Sequence, residues 1–163
     1  YRFYTAEQDS VTVVRKGIVV EVKSDADDLA ADYSYTSNTN YVRIEHADGT
    51  MATYNGLKKG SITVKPGITV YPGDVLGLNT PQGSDQRWNI GLTITYLKST
   101  DVEASKKQGL KESKSLYGFV FPYFHVKDVA SMQLVPRNEY IVAQNSEIIK
   151  KEFTKKELKQ NIR

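Results

Sequence analysis

Cysteine is absent from the 163 residues, and only two histidines, two methionines and one tryptophan are present. The lack of Cys excludes disulfide frameworks, thiolate zinc sites, iron–sulfur clusters and thiol nucleophiles together. Two histidines leave little for a His-rich metal centre. Missing cysteine sets no compartment, because a domain of this length does not depend on disulfide staples. Long hydrophobic runs are also missing. None approaches the roughly 18 apolar residues that span a bilayer, so no transmembrane helix is expected. A strong excess of one charge is lacking too: 22 Lys and Arg stand against 19 Asp and Glu, a net +3. Residues 147–163 hold six basic and three acidic residues and so carry the whole excess, while residues 1–146 are neutral. A neutral body argues against a nucleic-acid binder, which needs a clustered basic face. No signal peptide is visible at Tyr1, so a removed leader or a cut piece of a longer chain is expected.

Hydrophobic residues make up 39% of the chain, enough for a packed core. Strand signals dominate to about residue 145. Two β-branched runs flank Gly17 within residues 11–23, where Ile18, Val20 and Val22 alternate with Val19, Glu21 and Lys23. That period of two predicts a half-buried strand. Residues 24–39 are polar and predict a long loop. Residues 40–46 and 50–55 predict a hairpin closed by Ala47-Asp48-Gly49. Within residues 61–78, Pro66-Gly67 and Pro72-Gly73 lie six residues apart between short aliphatic runs. Pro followed by Gly is type II turn chemistry, and two such turns in succession predict a tight β-corner. Gly83 to Trp88 predicts a polar loop, and residues 89–97 a strand. Residues 98–115 are rich in Lys and Ser and loop-like; apolar residues return at 116–126 and 132–142. At the end, Thr154-Lys155-Lys156-Glu157 matches a capping box, with Phe153 and Leu158 in the staple positions. It predicts a short basic C-terminal helix with Leu158 and Ile162 on one face.

The order of these pieces resembles the lysostaphin/LytM-type zinc endopeptidases, peptidase family M twenty-three, which cut peptide bridges of the bacterial cell wall. The resemblance covers roughly residues 2–97. Residues 11–20 resemble the family's V-x-A-A-x-x-G-x-V strand pair. Residues 40–49 resemble its N-x-V-x-I-x-H-x-x-G hairpin. Thr53-Tyr54-Asn55-Gly56-Leu57 falls where T-x-Y-x-H-L belongs. Residues 64–77 resemble V-x-x-G-x-x-V-x-x-G-x-x-I-G. Carrier domains for biotin and lipoate share the double corner but are shorter and need an exposed Lys hairpin that is absent. The resemblance implies an all-β fold, an antiparallel β-sandwich of the duplicated hybrid motif (lysostaphin/LytM-like) type, with a short C-terminal helix. It places a β domain at 1–97 and a packed extension at 98–163.

The family's chemistry, as the resemblance implies it, needs zinc held by an H-x-x-x-D motif and the second His of a late H-x-H, with further His acting on water. Such a centre has three protein ligands and one open position. The Asp position falls near Arg2, the His of T-x-Y-x-H-L on Gly56, and the H-x-H on Asn89 and Gly91. No ligand or base stands at these positions, and a cation at Arg2 would repel zinc. No catalytic residue, metal ligand or cofactor is therefore expected. The expected role, as the resemblance implies it, is a non-catalytic member of the family, secreted or periplasmic in the cell envelope, that binds peptidoglycan or an envelope protein through the former active-site groove. Candidate groove residues are Tyr33, Tyr35, Tyr54 and Trp88, whose aromatic faces suit sugar rings and peptide stems, with Asn55, Arg87 and Asn89 adding hydrogen bonds. The alternative is a divergent zinc metalloendopeptidase with relocated ligands, using His46 or His125 beside carboxylates. Both histidines are expected to be structural, His46 because it sits at the hairpin's non-catalytic His. A further alternative gives the 98–163 extension an assembly interface. Asp25, Asp27, Asp28 and Asp32 form an acidic cluster that lacks the Gly and terminal Glu of a calcium loop, so a solvated loop is expected. The basic tail is expected to be a solvated face, with anionic partners as the alternative.

Overall fold

In a computed structural model, the described residues are 1–27, 39–82, 86–98, 116–127, 129–141 and 145–160. They form twelve strands and two short helices. The strands are β1 (Arg2–Tyr4), β2 (Ser10–Thr12), β3 (Gly17–Lys23), β4 (Asn40–Glu45), β5 (Met51–Leu57), β6 (Thr69–Val70), β7 (Val75–Leu78), β8 (Thr80–Gln82), β9 (Arg87–Leu97), β10 (Tyr117–Phe119), β11 (Phe124–Val126) and β12 (Val129–Met132). The helices are α1 (Ser146–Lys150) and α2 (Lys155–Gln160). The main sheet has eight strands, in the order β1-β9-β5-β4-β3-β6, with β8 and β10 also on β9. Every pairing is antiparallel. The fold is thus mostly β with short C-terminal helices.

The locally coded parts form as their residues dictate. The β4–β5 hairpin closes through Gly49 at φ 78°, and the His46 amide donates to the Thr50 carbonyl at 2.9 Å. Gly67 and Gly73 take φ 92° and 94°, the conformation that type II turns require at that position. The Asp74 amide donates to the Tyr71 carbonyl at 3.0 Å and closes the second turn. The corner leads into β7, which pairs with β2 as a separate ribbon. Val11, Val13 and Leu76 from this ribbon join Val42, Ile44 and Leu92 from the main sheet in one core. One face of the main sheet is therefore covered, and the other carries no core among the described residues.

Two expectations need correction. Strand β3 buries Val19 completely and leaves Ile18 half exposed, the reverse of the apolar face that alternation from Ile18 suggests. The cause is a register break: Val19 pairs with Ile44 and Glu21 with Arg43, so Val20 is an extra residue. The C-terminal segment also contains one helix more than expected. Asn145 caps α1 by accepting from the Glu147 and Ile148 amides at 3.0 and 3.3 Å. The capping box of α2 is in place, with the Thr154 amide donating to Glu157 Oε2 at 2.7 Å and the Glu157 amide to Thr154 Oγ1 at 3.3 Å. Phe153 stacks on Tyr71, ring centroids 4.8 Å apart. Residues 99–115 and Ile162, where loop and helix-face expectations fall, lie outside the described residues.

Candidate functional site

Residues paired directly across antiparallel strands share one face of a sheet. The registers therefore give the open face in rows. One row runs Lys23, Tyr41, Asn55, Gly91, Arg2; the next runs Glu21, Arg43, Thr53, Thr93. A third places Glu45, Met51, Thr95 and Phe119 side by side. Tyr4 stands opposite Asn89. Apart from Met51 and Phe119, these side chains are polar, or absent at Gly91, and most are partly buried. Arg43 donates to Glu21 Oε2 at 2.6 Å and to Thr53 Oγ1 at 3.3 Å, and its guanidinium lies 5.5 Å from the Tyr41 ring centre. The Tyr41 hydroxyl donates to the other Glu21 oxygen. That hydrogen bond to a carboxylate is the first cause holding the Tyr41 hydroxyl above its ordinary pKa.

The four positions at which the resemblance seeks zinc ligands and bases come together here. Arg2 pairs with Gly91, Gly91 pairs with Asn55, and Gly56 follows Asn55. Asn89 lies one turn of pleat further along β9. Gly56 is the extra residue of a bulge: Asn40 pairs with Leu57 and Tyr41 with Asn55. Its φ is 93°, and a Cβ added there would meet Gln82 Nε2 at 1.6 Å. The Gln82 side chain thus occupies the space that a side chain at 56 would need. Asn89 is fully buried, with Nδ2 donating to the Arg87 and Gln82 carbonyls at 2.7 and 3.3 Å. Gln82 Nε2 and Asn89 Oδ1 are buried without hydrogen-bond partners among the described residues. Buried polar atoms are seldom left so, and an orphan costs about 1–3 kcal/mol.

The groove candidates divide. Tyr33 and Tyr35 lie outside the described residues. Tyr54 is a core residue, 2% exposed, so its ring cannot wall a groove. Its hydroxyl oxygen accepts from the Val14 amide at 2.9 Å, and burial pushes its pKa up to about 12. Asn89 is likewise too buried to reach a ligand directly. Asn55 and Trp88 are partly buried, and Arg87 is exposed with its guanidinium 4.2 Å over the Tyr4 ring. The sequence reading missed Tyr4, Tyr41, Arg43 and Thr53, which only the strand registers bring onto this face. It also missed an aromatic row. Tyr117, Phe119, Phe121 and Tyr123 alternate with inward residues and are all more than half exposed. A Tyr and three further rings every second residue were a visible signal for it.

His46 sits at the turn end of the β4–β5 hairpin, and Asn55 and Gly56 at the other end. Thr50 Oγ1 donates to Asp48 Oδ1 at 2.7 Å, which leaves it to accept from His46 Nδ1, with Nδ1 and Oγ1 2.9 Å apart. Nε2 then faces the interior without a partner. Burial first, and Arg15 second, hold the imidazole below its ordinary pKa. His125 belongs to the separate β11–β12 ribbon. Asp28 and Asp32 lie outside the described residues, and Asp27 pairs with Lys59 at 2.6 Å. Among the described residues, no group of three or more His, Asp or Glu could hold a metal ion. No described helix is long and apolar enough to cross a membrane.

No family model matches the chain. No curated protein sequence matches it. Among solved structures, the chain is similar to CbpA from L. salivarius REN, with a TM-score of 0.41 and 18% identity over 81% of this chain and 67% of that one. A likeness of that size fixes neither fold family nor function.

Proposed function

We propose that the chain is a non-catalytic relative of the lysostaphin/LytM-type endopeptidases, a duplicated-hybrid β-sandwich with its extension packed against it. It works in the cell envelope, and its open polar sheet face binds peptidoglycan or an envelope partner. One observation carries the reading. The positions Arg2, Gly56, Asn89 and Gly91 converge on one spot, and Gln82 fills the space over Gly56. A protein that had only exchanged its ligands would keep an empty cleft there. A filled cleft beside an open polar face favours binding over hydrolysis.

The neighbouring chemistry suits a muropeptide. Arg43, Asn55 and Thr53 offer donors and acceptors to a peptide stem, while Tyr4 and the aromatic row at 117–123 offer faces for sugar rings. Titration of isotope-labelled protein with a disaccharide–tetrapeptide muropeptide tests this. Shifts should cluster at Tyr41, Arg43, Asn55 and Phe119. Absence of binding at millimolar ligand, or shifts confined to the tail, would overturn it. One tightly held zinc per chain after metal loading and dialysis would overturn the non-catalytic part.

A further inference from the structure

The tail separates its charges by sign. Of the three acidic residues in 146–160, Glu152 between the helices and Glu157 in α2 turn inward. Glu152 accepts from Arg15 Nε and the Lys16 amide, both at 3.2 Å. Glu157 accepts from Lys16 Nζ at 2.7 and 2.8 Å and from the Tyr71 hydroxyl at 2.7 Å. Leu158, beside Glu157, is also partly buried. An α-helix turns about 100° per residue. Lys155, Lys156 and Lys159 therefore share an arc of about 100° on the side of α2 opposite Glu157 and Leu158. All three are exposed, as are Lys150 and Lys151 just before them. Lys150 pairs with Glu147, but Lys155, Lys156 and Lys159 have no ion-pair partner among the described residues.

We propose that this lysine face of α2 is a docking surface for a linear polymer bearing phosphate charges. Charge complementarity selects the partner. Glu152 and Glu157, the acids nearest the face, are held against the β body, so the outward side chains of α2 carry only positive charge in a molecule whose body is neutral. Lysines bind phosphate as point charges without a fixed bidentate geometry, so three on one short arc match a row of closely spaced charges rather than a single planar group. The described outward face of α2 offers no apolar side chain to insert, so a bilayer lacks the second anchor that interfacial helices use. This surface is separate from the open sheet face, and its success or failure leaves the muropeptide reading untouched.

Long-chain inorganic polyphosphate is the probe, titrated calorimetrically into the full chain at several salt concentrations. Binding should weaken with salt at a log–log slope of about −2, the value for three contacts at roughly 0.7 each. The variant Lys155→Gln/Lys156→Gln/Lys159→Gln should bind at least about tenfold more weakly, with a flatter slope. Lys65→Gln/Lys98→Gln/Lys127→Gln removes the same charge elsewhere and should change affinity less than about twofold. All six lysines are exposed, so both variants should keep the circular dichroism of the parent. No binding by the parent at low salt, or equal losses in both variants, would overturn the proposal. So would tighter capture on vesicles rich in phosphatidylglycerol than on polyphosphate, because that outcome assigns the face to a membrane.

Discussion

The tail clamp and the spot around Gly56 treat polar groups in opposite ways. At the clamp, the Glu157 carboxylate accepts from Lys16, Tyr71 and Thr154, and Glu152 accepts from Arg15 and the Lys16 amide. At the Gly56 spot, Gln82 Nε2 and Asn89 Oδ1 are buried and unmatched. The clamp lies near the surface, where each such pair is worth little alone. The spot is more deeply enclosed, where orphans are most costly. Stability is therefore secured where it is cheap to secure, and tension is left where a ligand or water has polar work to do.

The comparison can be broken most forcefully at Gly56. Gly56→Ala puts a Cβ into the Gln82 amide and forces a non-glycine residue to a φ of 93°. It should cost about 3 kcal/mol of unfolding free energy, read from the urea midpoint. Adding Gln82→Ala should return only the steric part; full recovery would mean that backbone strain contributes nothing. Tyr54→Phe comes next. It removes the acceptor for the Val14 amide in the core and should cost about 1 kcal/mol by the same assay. A smaller effect is expected at the clamp. Glu157→Gln should leave the urea midpoint nearly unchanged while amide exchange over residues 153–160 quickens several-fold. Acid should do the same. Lys16 first, then Tyr71 and Thr154, hold the Glu157 carboxyl far below its ordinary 4.5, so its contribution is full above that pH and is lost as pH falls below it. An exchange rate that stays flat on acidification would contradict the clamp. Gln82→Met should have the smallest effect, within about 0.5 kcal/mol of parent and on the stabilising side, because it removes an orphaned donor at nearly constant volume. A clear loss of stability there would mean that Gln82 has a partner in solution.

What the sequence disclosed was local. Pro66-Gly67, Pro72-Gly73 and Ala47-Asp48-Gly49 encode turns within four residues, and Thr154 with Glu157 encodes a cap within one helical turn. All of these formed. The bulge at Val20 was hidden, because it depends on how β3 meets β4, and one extra residue exchanges the faces of a strand. The filling of Gly56 was hidden for the same reason: Gln82 reaches it from another strand. The inward turn of Glu152 and Glu157 depends on Arg15 and Lys16 at the far end of the chain. Of the groove candidates, Asn55 and Arg87 fall on or beside the open face, whereas Trp88, alternating with Arg87 and Asn89 along β9, falls on the opposite one. Nor does Tyr54 reach the open face, since its alternation with Asn55 sends it to the core.

Strand β9 pairs with β1, β5, β8 and β10, and through β1 it joins residues 2–4 to residues 89–91. A chain made from its N-terminus thus carries β1 to β5 before the strand that unites them exists. Contacts so far apart in sequence close late and slow the folding of β proteins. Until β9 arrives, β1 and the outer edge of β5 are unpaired strands with exposed hydrogen-bonding groups, the state most prone to association with other chains. Refolding yield should accordingly fall with protein concentration, and the assembly of β9 sets the interval of exposure.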